Sequence, residues 1–254
     1  MPSLIKLLLI PAVLTQLLFS ATPEQVERYL SISNAEEELL GLESQFSRMQ
    51  NNFQTSQSNT SEEKETYDMQ MLSIRFKEYM QKHLSENEMD EILQTYKSVV
   101  FLQFTSAISA TTDNDPKEVE AYIKTFENNE SSAVRMDIVE KINTKINNKE
   151  SITLMYDELI KPLMQAASGR EKLDHEYMKK NRETYLKSMI EKSKNDTLFA
   201  TRDFTMEELE ELLKVAQTPA IDHEVKAIYG GMAFALKEFF LTLASGYDIS
   251  KHQK

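Results

Sequence analysis

Cysteine and tryptophan are both absent from the 254 residues. Without cysteine there is no disulfide staple, no thiolate nucleophile and no site for a cysteine-linked lipid, so an apolar core alone must hold the fold. Glycine and proline are scarce, at positions 41, 169, 230, 231 and 246 and at 2, 11, 23, 116, 162 and 219. A β-rich chain of this length would need many more turn glycines, because tight hairpin turns require positive φ. From Glu24 to Asp115 there is one glycine and no proline. Positive charge is also in deficit, with 29 Lys and Arg against 41 Asp and Glu and a net charge of −12. An acidic, intermixed surface repels phosphate backbones and anionic lipids, which argues against nucleic acid as a partner.

What is present begins at the N-terminus. Lys6 precedes an apolar run from Leu7 to Phe19, and the small residues Ser20 and Ala21 follow. That order is the pattern of a secretory signal peptide, read here as residues 1–21 with cleavage expected after Ser20 or Ala21. A membrane span needs about 20 apolar residues; this run is shorter and contains Pro11, Thr15 and Gln16. The expected address is the periplasm, with secretion also open, and no membrane span is expected once the leader is removed.

Apolar residues recur at helical spacing throughout, and no sustained period of two is found. Met89, Ile92, Leu93, Tyr96, Val99 and Val100 mark one face. Val119, Tyr122, Ile123 and Phe126 mark another, and Val134, Ile138, Ile142 and Ile146 a third. The fold class is all-α, a helical bundle or array. Helix starts are legible residue by residue. Thr22-Pro23-Glu24-Gln25 supplies a threonine cap, a first-turn proline and a glutamine at the third helical position, and Asp115-Pro116 repeats the device with aspartate. Leu84-Ser85 through Met89 and Phe204-Thr205 through Leu209 each combine a capping box with an apolar staple.

These last two starts lie 120 residues apart. Ser85 to Leu93 aligns with Thr205 to Leu213, with Glu88, Glu91 and Leu93 matched by Glu208, Glu211 and Leu213. Two similar multi-helix units are expected, 22–112 and 151–254, joined by a helical connector over 113–150 and sharing one core. Residues 54–66 contain no apolar side chain and form an expected polar loop within the first unit.

The run Phe204-Thr205-Met206-Glu207-Glu208-Leu209 through Thr218-Pro219, and the connector segment Arg135 to Glu140, resemble a bacterial exported family called domain of unknown function 2059, in its two-copy form. The first copy departs from that pattern with Ser98-Val99 in place of Ser/Thr-Pro. The resemblance implies an exported helical protein and supplies no catalytic residues.

Reactive constellations are few. Asp174-His175-Glu176 and Asp222-His223-Glu224 repeat a triplet that suggests a metal. Consecutive helical residues point about 100° apart, so neither triplet converges on an ion, and both are read as solvent-facing. Ser61 and Lys64 have the serine-acylase spacing but fall in the polar loop. Ala167-Ser168-Gly169 and Ala244-Ser245-Gly246 read as helix ends. No catalytic, metal or cofactor site is therefore assigned. Asn129 follows an acidic residue in an extended glycosylation pattern, and Asn59 and Asn195 fit the general one.

The segment Val225 to Tyr247 is apolar on nearly every side, with Ala227, Gly231 and Ala235 forming a smooth stripe. It is expected as a central core helix. The open alternative is an apolar interaction groove lined by Phe101, Phe104, Phe234, Phe239 and Phe240. Three functions follow: a non-catalytic module binding a protein partner, a carrier holding a small apolar ligand between the units, and an enzyme using carboxylates with His175 or His223.

Overall fold

Thr22, Ser85 and Thr205 each start a helix in the way their sequences dictate. In all three the hydroxyl accepts from the amide three residues on, and the Gln25, Glu88 or Glu208 side chain accepts from the cap's own N–H, closing a complete capping box. The staple residues Leu84, Met89, Phe204 and Leu209 are all buried. The structure, a computed structural model, describes residues 20–41, 69–111, 116–126, 132–167 and 174–245; of these, the side chains at 69–70, 116, 166–167 and 238–245 are not described. Residues 1–19 of the expected leader, residues 54–66 with Asn59, Ser61 and Lys64, Asp115, Asn129, and Ser168, Gly169 and Gly246 lie outside the described residues.

The fold is all-α. In chain order the helices are α1 (Pro23–Ser33), α2 (35–41), α3 (Met69–His83), α4 (Glu86–Thr95), α5 (Val99–Thr111) and α6 (Pro116–Phe126). Then come α7 (Ala133–Ile146), α8 (Lys149–Met155), a π-turn (Tyr156–Ile160), α9 (Lys161–Ala167), α10 (His175–Ala200), α11 (Met206–Ala216) and α12 (Pro219–Ser245). Among the described residues there is no strand, only an isolated bridge between Ser20 and Ser85. None of these helices is long and apolar enough to cross a membrane. Asn34, with φ of 59°, separates α1 from α2 in the left-handed conformation that ends helices. The π-turn immediately precedes Pro162, whose missing N–H and bulky ring cannot join a regular helical ladder; the widened turn absorbs the misfit.

α12 lies at the centre, packed against α3, α4, α7, α8, α9 and the π-turn. Its small stripe is occupied by α3. A Cβ added at Gly231 would meet the Phe76 ring at 2.8 Å, and one at Gly230 would meet the Tyr79 hydroxyl at 2.2 Å. The core-helix expectation therefore holds over the described part of α12, where Ala227, Gly231 and Ala235 are all buried.

Packing runs across the chain. α3 and α4 pack on α12, whereas α10 and α11 pack on α5; α3, α4 and α5 make their main helix contacts with α1 and the C-terminal helices rather than with one another. Burial also repeats at the 120-residue offset, with Leu84, Met89, Ile92, Tyr96, Val100 and Phe101 buried like Phe204, Leu209, Leu212, Ala216, Ala220 and Ile221. Two faces differ from expectation. Val99 is 78% exposed and Val134 63% exposed, because each sits in the first turn of its helix, ahead of the packed face.

Candidate functional site

The chemically distinctive site is built on α12, one turn into the helix. Glu224 is 3% exposed, so the reading of Asp222-His223-Glu224 as solvent-facing is corrected at this residue. α12 is enclosed on most sides, and the rotation that turns Asp222 outward to Lys226, at 2.7 Å, carries Glu224 into the core. There its Oε1 accepts two hydrogen bonds, from the Tyr29 hydroxyl at 2.9 Å and from the Tyr96 hydroxyl at 2.5 Å. Tyr29 comes from the middle of α1 and Tyr96 from the end of α4, their rings edge to face at 5.8 Å. One carboxyl oxygen thus fastens three helices.

Burial pushes the Glu224 carboxyl up to about 7, against the two tyrosine hydrogen bonds that pull it down, with the charge of Glu38 on α2 adding a smaller push upward. The balance is physically sensible. Stripping water from a carboxylate costs several kcal/mol, while a hydrogen bond to a charged group returns about 1.5–3 kcal/mol. Glu38 is itself raised by the protein around its carboxyl, yet the residue as a whole is exposed, so its influence is solvent-weakened. Burial holds both tyrosine hydroxyls well above their ordinary value, which keeps them protonated donors.

The residue 120 positions earlier, at the same place in the burial rhythm, is Phe104, 3% exposed and part of the apolar core.

Neighbouring polar groups continue along α12. His223 Nδ1 lies 3.4 Å from Glu88 Oε1 without a hydrogen bond, and Glu88 is held below the usual carboxylate range chiefly by the Ser85 amide of its own capping box. Farther along, the Tyr229 hydroxyl donates to Asn147 Oδ1 at 2.9 Å. Asn147 in turn donates to Asn143, which also accepts from the buried Thr197 hydroxyl. This puts the Asn195 sequon within helix α10, its threonine sealed in the core.

Of the proposed groove, the structure brings no set together on one surface. Phe101 and Phe104 are buried in the core, Phe101 edge-on to Tyr96 at 5.0 Å. Phe234 is 42% exposed and rests on Tyr79 at the seam between α3 and α12; Met71 and Ile74 of α3 are also exposed, on the side of that helix turned away from Phe76 and α12. The side chains of Phe239 and Phe240 lie outside the described residues. His175 is 89% exposed at the start of α10 and borders an open cleft with Lys161, Lys179 and Asp157, the last held in two hydrogen bonds by Arg182. Among the described residues no group of three or more His, Asp or Glu is placed to hold a metal ion.

Glu224 was missed in sequence because a lone glutamate beside Asp and His in an otherwise apolar helix carries no mark of its facing. The signal available was the offset itself, which sets it against Phe104. No family model, curated protein or solved structure matches this chain.

Proposed function

We propose that this chain is an exported, non-catalytic helical protein that binds a partner protein through the apolar seam between α3 and α12. Phe234 carries the reading: a large apolar ring, well exposed, lying on the half-buried Tyr79. Large apolar rings grouped at the surface mark interaction sites. The strongly displaced ionisable groups support the non-catalytic side of the proposal. Glu224, Tyr29 and Tyr96 face one another inside the scaffold, and Glu88 closes a helix cap.

Export rests on the leader pattern of Lys6 to Ala21. The two-copy organisation is part of the same proposal, supported by the matched caps at Ser85 and Thr205 and by the repeated burial. In family terms this is a two-copy member of the exported family named above, a reading that rests on its capped-helix motif.

The test places a photo-crosslinking amino acid at Phe234 and, as a control, at exposed Lys145, in protein recovered from the host envelope. The reading expects one protein joined specifically at position 234, lost when the neighbouring Tyr79 is changed to Ala, on a chain whose measured N-terminus is Ala21 or Thr22. Equal labelling at both positions sinks it. A non-covalent mass of a few hundred daltons on the intact chain, with no crosslinked protein, would favour the carrier.

A further inference from the structure

We infer that the proton on Glu224 governs whether the N-terminal helices α1 and α2 stay docked on α3 and α4, beside Glu224 of α12. This carboxyl is the buried junction; at the surface Lys77 of α3 pairs with Glu27 of α1 at 2.9 Å and with Glu36 of α2 at 3.8 Å. Among the described residues, the one side-chain hydrogen bond from α1 to α12 is that of Tyr29, and it ends on Glu224 Oε1, where Tyr96 of α4 ends as well. The start of α1 is held separately, by the Ala21 amide on the Leu84 carbonyl at 2.8 Å and by Gln25 on Glu86 O and Asp90. The first two of these contacts are made by groups that do not titrate, and the third ends on an exposed carboxylate.

The groups around Glu224 decide the sign. α1 presents Tyr29, α2 presents Glu38 and α4 presents Tyr96; on α12 itself Asp222 turns out to Lys226, and His223 turns to Glu88 of α4. Among the described residues no lysine or arginine pairs with Glu224. Ionisation therefore places an uncompensated charge in the core, eased only by two hydroxyl donors and opposed by Glu38. Moving α1 away admits water to the carboxylate at the expense of exposing Val26, Tyr29 and Leu30, all buried when docked.

The linkage has a definite direction. Docked, the carboxyl titrates at about 7; released into water it returns to the ordinary range near 4.5. Between those two values the docked form holds a proton that the open form has lost, so each pH unit multiplies the opening constant by about ten. Above 7 both forms are ionised and the dependence levels off. Acid holds the helices down; rising pH loosens them.

Hydrogen exchange on the full mature chain reads this directly. Exchange of residues 23–41 is followed from pH 5 to 8.5 and divided by the intrinsic chemical rate at each pH. The inference expects the corrected opening constant to rise about fortyfold from pH 5 to 7 and only about twofold more by pH 8.5, with residues 133–146 of α7 showing no such rise. Glu224→Gln should remove the dependence and His223→Gln should leave it in place. A flat wild-type profile, or the same slope in a folded Glu224→Gln protein, overturns it. Should Glu224→Gln fail to fold, Tyr96→Phe removes one donor from the carboxylate and must move the inflection to higher pH; an unmoved inflection overturns the inference equally.

Discussion

Gly231 faces the Phe76 ring so closely that a methyl group would sit 2.8 Å from two ring carbons, and Phe76 has no exposed side to retreat to. Two effects compete on replacing it with alanine. Helix propensity favours alanine by about 1 kcal/mol, and overpacking a closed core costs about 1–3 kcal/mol. Gly231→Ala is therefore expected to lower unfolding stability by about 1 kcal/mol, read as a fall in urea midpoint at unchanged slope. Gly230→Ala should cost less, since its obstacle is the outer part of half-buried Tyr79. The small stripe of Ala227, Gly231 and Ala235 was legible in sequence because closeness of approach depends on the side chains of one helix. The facing of Glu224 was not, because it depends on how α12 is rotated among neighbours that come from the other end of the chain.

Helix ends are the best-determined elements, since a cap is a contract among four consecutive residues. The Thr205 hydroxyl accepts from the Glu208 amide at 3.2 Å, and Glu208 accepts from the Thr205 amide at 2.7 Å. Thr205→Ala should destabilise by about 1 kcal/mol. Combined with Glu208→Ala it should cost less than the sum of the two single changes, because both bonds belong to one box; a double-mutant cycle by chemical unfolding checks it. Helix faces were legible in their interiors, as at Ile92, Leu93, Ile138 and Ile142, and misread at their first turns, where Val99 and Val134 are exposed. Periodicity reports which residues share a side. It does not report where along the helix a neighbour begins. The π-turn was likewise unread: Pro162 announces a disturbance, but whether the helix breaks, kinks or widens depends on what packs around it.

For the molecule as a whole, the exchange of packing between the two ends is the governing feature. α12 completes the region of α3 and α4, and α5 completes that of α10 and α11. A chain cut between residues 126 and 132 should therefore yield two pieces, neither with a cooperative thermal transition alone. Mixed in equal amounts, they should regain helical circular dichroism and a single transition. A piece that melts cooperatively by itself would show that its helices suffice without the exchange. Apolar stripes in sequence said that each helix needs cover; which helix supplies it was not legible, because periodicity says nothing about which helix goes where.

That exchange also sets an order in time. As the chain is made, α3, α4 and α5 emerge with only α1 among the helices they pack against, for α10 to α12 lie some hundred residues behind. Contacts of such long sequence separation form late and slowly. The growing polypeptide is left as an open thread until nearly its last turn of helix is in place, and a thread is the form in which a chain passes a narrow membrane pore. Under the proposed export, the final helix arrives on the far side, and the fold closes only where the protein is to work.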